Sequence, residues 1–280
     1  MDPRVDWDDT ERIARHLDQQ NATRSANHTK KFRNVQNVAL FRQLHKRKYR
    51  YTASTYSAAG VQITNAFAYV HIWKSGGTTI EKQAQNRSFA ARFIQRYPYA
   101  LTFVRDPVDH FLSGWSECMF RWHKNKKNKK DKREASKIDA QNYSQVITTY
   151  LENTRRMIQS GRKTHGCNIH SLHQVNFLFD RKGKLYSNLK IIGDISEMGQ
   201  VMGAINFTYR PDVTARVAST NTIKQTYFPA KREWLRNETL QAICEFVALD
   251  YFMLDYQLPD PCRRASPGTS PLLRQLKLIE

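Results

Sequence analysis

The residues best suited to chemistry begin in a short glycine-containing segment, Lys74-Ser-Gly-Gly-Thr-Thr79, which follows the apolar run Ala66–Trp73. Glycines let the backbone approach a ligand closely, and successive N–H groups at the start of a helix attract anions. The lysine precedes the glycines, whereas in the Walker A sequence it follows them. The segment therefore predicts an anion-binding loop in which Lys74 lies across the bound group and two threonine hydroxyls face it.

A second segment adds another cation and another hydroxyl. The apolar run Ala100–Val104 ends at Arg105, and a helical pattern follows. Helical spacing places Asp109, Ser113 and Glu117 on one stripe of that helix. We therefore expect Arg105, at the strand end, and Ser113, on the helix face, to meet the same anion.

The elements that must position these residues alternate along the chain between strand-like and helix-like patterns. Such alternation predicts an α/β fold with three layers and a central, mostly parallel sheet, in which the loop at Lys74 joins a strand to a helix. Strands are predicted at Ala66–Trp73, Ala100–Val104 and Leu189–Gly193, and helices at Thr79–Gln85, from Pro107, at Tyr143–Gln159, after Asp194 and from Asn237.

Composition divides the chain into three regions. The 280 residues are 40% hydrophobic, which is enough for one sizeable α/β domain. Residues 1–60 are polar and basic and are predicted to form an arm or stem with one short helix. Residues 61–260 form the predicted domain, and residues 261–280 are rich in Pro, Ser and Arg and are predicted to be a loose tail.

The formal charge of +20 indicates an anionic partner, such as a nucleic acid, a membrane surface, an acidic glycan or a phosphorylated cofactor. The run Arg121–Arg133 contains eight basic residues and one acid and is predicted to be an exposed loop. It is either a solvated loop or a gate for an anionic glycan. No nucleic-acid recognition motif accompanies the charge, so we do not expect a nucleic-acid partner.

The N-terminal residues and the hydropathy pattern favour a cytoplasmic protein. The chain has no run of 18 apolar residues that would span a bilayer. The charged start, Met1-Asp-Pro-Arg4, lacks the apolar core of a signal peptide.

The glycosylation sequons and the cysteines favour a different compartment. Six of the sixteen asparagines lie in Asn-X-Ser/Thr sequons, where chance placement gives roughly two. The sequons are at Asn21, Asn27, Asn86, Asn142, Asn206 and Asn237. The four cysteines are compatible with two disulfides or with four buried thiols. We expect a lumenal domain whose membrane anchor is absent from this chain, with a cytoplasmic protein as the alternative.

Together, Lys74–Thr79 and Phe103–Gly114 resemble the two signatures with which sulfotransferases bind 3′-phosphoadenosine-5′-phosphosulfate (PAPS). The likeness is greatest to the Golgi carbohydrate sulfotransferases, whose motifs read Lys-X-Gly-Gly-Thr-(Thr/Ser) and Arg-Asp-Pro-X5-Ser. Weaker echoes are His170-Ser-Leu-His-Gln174, which is followed by the strand at Leu189, and the segment from Cys244 to Tyr256. The resemblance covers residues 66–260.

The resemblance implies a Golgi enzyme that transfers the sulfuryl group of PAPS to a hydroxyl of a glycan, without a metal ion. In that family the first loop holds the 5′-phosphosulfate and its lysine assists transfer, while the Arg and Ser of the second motif hold the 3′-phosphate. The implied cofactor-binding residues are Lys74, Ser75, Gly76, Gly77, Thr78, Thr79, Arg105 and Ser113.

The catalytic base is left open by the sequence. Several related enzymes carry a His or Glu base between the two motifs, but here residues 82–100 contain no His, Asp or Glu. Glu117 follows Ser113 by one turn and is one candidate, although it is equally suited to pair with the basic run. His170 is the other candidate, and its alternative interpretation is a structural histidine.

Three other functions stay open at this point. The first is a soluble sulfotransferase that acts on a small molecule or on protein tyrosine. The second is a non-catalytic protein that binds heparin or nucleic acid, which the arrangement of Lys74, Arg105 and Ser113 disfavours. The third is a P-loop kinase, which the position of Lys74 before the glycines disfavours.

Overall fold

A mixed five-stranded sheet lies at the centre of the fold. The computed structural model describes residues 59–84, 88–125, 138–159, 170–178, 185–205, 207, 228–254 and 256–262. The arm up to residue 58, most of the basic run with the residues after it (126–137), and the tail from residue 263 lie outside the described residues. The strands are β1 (Ala59–Gln62), β2 (Phe67–His71), β3 (Ser88–Ala90), β4 (Tyr99–Val104) and β5 (Leu189–Asp194), in the order β3-β1-β2-β4-β5.

Helices connect and cover the strands. The α-helices are α1 (Gly77–Gln83), α2 (Pro107–Asn125), α3 (Tyr143–Gln159), α4 (Met198–Ala204), α5 (Asn237–Phe246) and α6 (Ala248–Met253). Short 3-10 turns lie at Ala91–Arg96, Gln174–Leu178, Ile195–Glu197, Arg232–Trp234 and Asp260–Cys262. The predicted α/β class is thereby confirmed.

The sheet is mixed rather than mostly parallel. β2, β4 and β5 are parallel neighbours, as expected, but β1 pairs antiparallel with both β2 and β3. The connection from β1 to β2 is a tight turn, too short for the crossover that a parallel pair requires. The sequence analysis missed β1 and β3 because both are short and begin or end in small residues.

Hydrophobic side chains fill both faces of the sheet. Successive residues of a strand point to opposite faces, and on β2 Val70 and Ile72 join one buried cluster while Phe67 and Tyr69 join another. The first cluster includes residues of α2, α3, α5 and α6, and the second includes residues of α1 and α4. The sheet is thereby held rigidly between helices.

The long helix α2 begins as the sequence predicts. The side chain of Asp106 accepts hydrogen bonds from the N–H groups of Val108 and Asp109, at 2.9 and 3.1 Å. A carboxylate in this position satisfies N–H groups that have no partner within the helix. Of the apolar residues that give this helix its periodicity, Phe111 and Trp115 are completely buried, whereas Trp122 near its end is 56% exposed.

The parallel half of the sheet brings three loops to one edge. β2 leads to Lys74, β4 to Arg105 and β5 to Asp194, and parallel strands present their carboxyl ends at the same edge. Ligands of α/β proteins bind preferentially at that edge. Both predicted cationic residues therefore lie where a ligand site is expected.

A disulfide closes the C-terminal part of the domain. Cys244 on α5 is bonded to Cys262, which is completely buried although the sequence analysis assigned it to the tail. Cys118 is also disulfide-bonded, and no described cysteine is free. Among the residues described, no helix combines the length and apolarity needed to span a bilayer.

We expect the double variant Cys244→Ser/Cys262→Ser to lose about 3 kcal/mol of unfolding free energy, because the bond closes a loop of 18 residues and restricts the unfolded chain. Urea denaturation without a reducing agent, which leaves the disulfide intact, measures the difference in unfolding free energy between the two proteins. Equal stability of the variant and the unmodified protein would show that Cys244 and Cys262 are not joined by a stabilising disulfide.

Candidate anion-binding site

The loop between β2 and α1 turns sharply at two left-handed residues. Lys74 has a φ of 65° and is the only non-glycine residue with positive φ in the described part of the chain, and Gly76 has a φ of 82°. A non-glycine residue in this region costs about 1–3 kcal/mol and is maintained only where the surroundings impose it. The backbone of Lys74 is therefore held in a conformation that a relaxed turn would avoid.

Glycine is required at both positions of the loop, at Gly76 by its φ of 82° and at Gly77 by close packing. A β-carbon on Gly76 would overlap the side chain of Met198, and one on Gly77 would overlap the ring of His71. Burial lowers the pKa of His71 to about 4, so this ring is uncharged at neutral pH. The loop thus rests directly on the end of β2 and on α4.

The loop residues divide into those that face inward and those that face outward. The hydroxyl of Ser75 is fully buried and donates to Gln174 Oε1 at 2.9 Å, so it is turned away from the expected ligand. Thr78 is exposed and Thr79 is half-buried. Within the described residues, the N–H groups of Gly76, Gly77 and Thr78 have no hydrogen-bond acceptor, and they are the donors with which this loop can bind an anion.

The side chain of Lys74 is held by a carboxylate. Lys74 Nζ lies 3.0 Å from Glu117 Oε2, and Arg121 Nε lies 2.6 Å from Glu117 Oε1. Glu117 is 6% exposed, Lys74 18% and Arg121 52%. Glu117 therefore pairs with the basic run, as one interpretation held, and it also holds the ammonium group of Lys74.

The guanidinium of Arg105 approaches the same loop. Its Nη1 donates to the carbonyl of Lys74 at 3.4 Å, while its Nε is buried and has no hydrogen-bond partner among the described residues. Buried polar groups almost always have partners, so an unpartnered guanidinium nitrogen requires an explanation. A bound anion that accepts from Arg105 supplies one.

Ser113 lies on α2 between two carboxylates, each of which interacts with one of the two cations. It lies on α2 one turn after Asp109 and one turn before Glu117, and it is half-buried. Glu117 contacts Lys74 at one end of this stripe. At the other end, burial raises the pKa of Asp109 and the nearby Arg105 opposes that shift. The predicted stripe of α2 therefore interacts with Lys74 through Glu117 and lies near Arg105 at Asp109.

His170 lies beside Trp73 and Gly114, which are the sequence neighbours of Lys74 and Ser113. It is buried, and its ring stands edge-on to Trp73 with 5.0 Å between the ring centroids. Its backbone carbonyl lies against Gly114, where a β-carbon would overlap it. These contacts fit the interpretation of His170 as a structural histidine, whereas Glu117 is the candidate base in contact with Lys74.

The sequence did not predict the roles of three buried polar residues next to the site, although Gln174 ends the segment His170–Gln174 named above. His110 Nε2 donates to the carbonyl of Trp73 at 2.8 Å, and burial lowers the pKa of His110 to about 3, so the ring is uncharged. Gln174 hydrogen-bonds both Ser75 and Arg105, and Asp250 accepts from the backbone of Gln174. The available signal was a single polar residue inside an apolar segment, as in Val247-Ala-Leu-Asp-Tyr-Phe-Met253.

Comparisons of the chain with protein-family models, with curated proteins and with solved structures return no match. In the part of the chain that the structure describes, no group of three or more His, Cys, Asp or Glu side chains is placed to hold a metal ion. The chemistry must therefore be argued from the two cations, the hydroxyl of Ser113 and the N–H groups of the loop. Such a set is suited to hold a ligand with two anionic groups.

We expect the unfolding free energy to fall as the pH drops from about 6.5 towards 4. Burial lowers the pKa of His71, His110 and His173 to about 4, 3 and 4, so in this range the unfolded chain binds protons that the folded protein does not. Each such histidine contributes a slope of about 1.4 kcal/mol per pH unit. Asp250 acts in the opposite direction, because burial raises its pKa to about 7.

Urea denaturation at several pH values measures these slopes. His110→Phe should reduce the slope by about one proton, whereas Asp250→Asn should make it steeper by about one proton. A His110→Phe variant with the slope of the unmodified protein would show that this imidazole is not buried in its neutral form.

Proposed function

We propose that the protein is a PAPS-dependent sulfotransferase that transfers a sulfuryl group to a hydroxyl of a glycan. The observation that carries the proposal is the placement of Lys74 and Arg105 at the ends of adjacent parallel strands, with Ser113 on the helix that follows Arg105. Arg105 Nε, which is buried and finds no partner within the part of the chain that the structure describes, supports an anionic ligand at that end. The proposed cofactor carries anionic groups at both ends and fits two separate cationic positions.

In this proposal the segment β2–loop–α1 acts as a P-loop-like element of a three-layer fold. The loop N–H groups from Gly76 to Thr78 and the ammonium group of Lys74 hold the 5′ end. Arg105 and the hydroxyl of Ser113 hold the 3′-phosphate. Glu117 holds the ammonium group of Lys74, which pre-organises the positive charge before a ligand binds.

PAPS supplies the sulfuryl group and leaves as adenosine 3′,5′-bisphosphate. The acceptor oxygen forms the new S–O bond while the bond between sulfur and the bridging oxygen breaks, and its electron pair goes to that oxygen. Lys74 stabilises the negative charge that develops there, and the remaining catalysis is positioning. The acceptor hydroxyl gives its proton to a base, for which Glu117 is the better placed of the two predicted candidates because it contacts Lys74.

Charge supports an anionic glycan as acceptor. Arg121 is half exposed beside Glu117 at the beginning of the basic run, and the whole chain carries a formal charge of +20. A surface with this excess of cations concentrates acidic polymers near the site. An anionic acceptor is therefore inferred from the net charge of the chain and from the exposed Arg121 beside Glu117.

The disulfide supports a lumenal rather than a cytoplasmic location. The Cys244–Cys262 bond is of a kind that persists in oxidising compartments and is rare in the cytosol. The sequon residues Asn142 and Asn237 are both exposed, so attached glycans are compatible with the fold. We propose that the domain acts in the Golgi lumen.

We expect adenosine 3′,5′-bisphosphate to raise the Tm more than ATP does. At 100 times its Kd, the bisphosphate should stabilise the folded protein by about 2.7 kcal/mol relative to the protein without ligand. Lys74→Ala and Arg105→Ala should each weaken binding about tenfold or more, because each removes a hydrogen bond to a charged group. Differential scanning fluorimetry with increasing nucleotide measures both effects.

Lys190→Ala and Arg236→Ala are the matched controls, since both side chains are exposed and each change removes the same charge. Both controls should bind like the unmodified protein. Stabilisation by ATP alone, or no response to either nucleotide, would exclude the sulfotransferase assignment.

A further inference from the structure

The side-chain amide of Gln174 connects the two candidate anion-binding segments directly. Its Oε1 accepts from the N–H of Arg105 at 3.0 Å and from the hydroxyl of Ser75 at 2.9 Å, and its Nε2 donates to the carbonyl of Arg105 at 2.8 Å. One amide group thus pairs with both backbone groups of Arg105, as a neighbouring strand does in a ladder.

This amide lies where the pairing of β2 with β4 has ended. The ladder partners run from Phe67 with Tyr99 to Tyr69 with Leu101. Beyond them the two strands are connected by side chains, first by the hydroxyl of Thr102, which donates to the carbonyl of Val70 at 2.7 Å. Gln174 is the next connection, so it sets the separation of the strand ends.

Asp250 fixes Gln174 from behind. Its carboxylate accepts from the N–H of Gln174 at 2.8 Å and from the N–H of Val175 at 3.1 Å. Asp250, Gln174 and Ser75 are all completely buried. A buried polar group that loses its partner costs about 1–3 kcal/mol. The series of hydrogen bonds from Asp250 through Gln174 to Ser75 therefore has one favoured arrangement.

We infer that Gln174 is a positioning residue that sets the distance between the loop at Lys74 and the guanidinium of Arg105. By doing so it determines how much more tightly the protein binds a nucleotide with phosphates at both ends than one with a single phosphate. The inference rests on the proposed function. It goes further by naming the residue that makes the two halves of the site act together.

A purely structural role of Gln174 predicts lost stability without a change in ligand preference. Asn188 offers an internal comparison, because it too is a buried amide and its Nδ2 donates to the carbonyls of Ile94 and Tyr97 at 2.8 and 2.9 Å. It precedes β5 and lies at the opposite, amino-terminal edge of the parallel strands. It therefore stabilises the fold without contacting the site.

The test compares Gln174→Glu with Asn188→Asp, since each change keeps the size of the side chain and removes its N–H donors. Ser75→Ala is the second variant, because it deletes only the hydroxyl that Gln174 holds. Calorimetric titration with adenosine 3′,5′-bisphosphate and with adenosine 5′-monophosphate gives an affinity ratio for each protein. Circular dichroism selects a temperature at which all the variants are folded.

We expect Gln174→Glu to reduce this ratio at least tenfold and Ser75→Ala to reduce it less, while Asn188→Asp leaves it unchanged. A ratio that is unchanged in folded Gln174→Glu and Ser75→Ala, or an equal reduction in Asn188→Asp, would overturn the inference. If Gln174→Glu does not fold, the ratio for Ser75→Ala decides. An unmodified protein without preference for the bisphosphate instead refutes the proposed function itself, and the inference with it.

Discussion

The parallel pairing of β2 with β4 is the constraint on which the rest of the structure depends. Their register places Phe67 opposite Tyr99, and because the strands run in the same direction, Lys74 and Arg105 leave the sheet at the same edge. Both strands are buried on both faces, so a shift in register would disrupt the packing of the two apolar clusters. α2 follows β4 directly and brings Glu117 within 3.0 Å of Lys74. The placement of the two cations and of the α2 stripe thus follows from one strand pair.

The C-terminal residues hold the edge of the sheet in place. Asp250 binds the backbone of Gln174, the hydroxyl of Tyr251 donates to Asp106, and that of Tyr256 donates to Asp194 at 2.7 Å. Arg232 adds an ion pair to Asp106 at 3.3 Å. Each of these contacts ends on a segment that follows a parallel strand or packs beside one. Asp250, Tyr251 and Tyr256, from the C-terminal part of the domain, therefore stabilise the segments at the carboxyl ends of the parallel strands.

The sequence predicts the elements whose patterns are long or unambiguous, and it predicts side-chain partnerships poorly. α3 begins and ends as expected at Tyr143 and Gln159, and α2 begins at the expected Pro107, because amphipathic periodicity over many residues is a strong signal. β1 was missed because a strand of four residues is too short to show a periodic pattern and depends on its pairing with β2 and β3. The same reason explains Gln174. Its partners are 69 and 99 residues away in sequence, so only the folded arrangement shows its role.

We propose that the Lys74 loop supports sulfuryl transfer. The most direct test measures whether the full chain transfers radiolabelled sulfate from PAPS to a panel of anionic glycans. We expect the label to become covalently bound to a glycan as a sulfate ester. Lys74→Ala should abolish this transfer, whereas Lys190→Ala should retain it. A folded protein that binds adenosine 3′,5′-bisphosphate but labels no hydroxyl-bearing acceptor, including phenols and tyrosine peptides, would contradict the claim and would leave a nucleotide-binding protein without transferase activity.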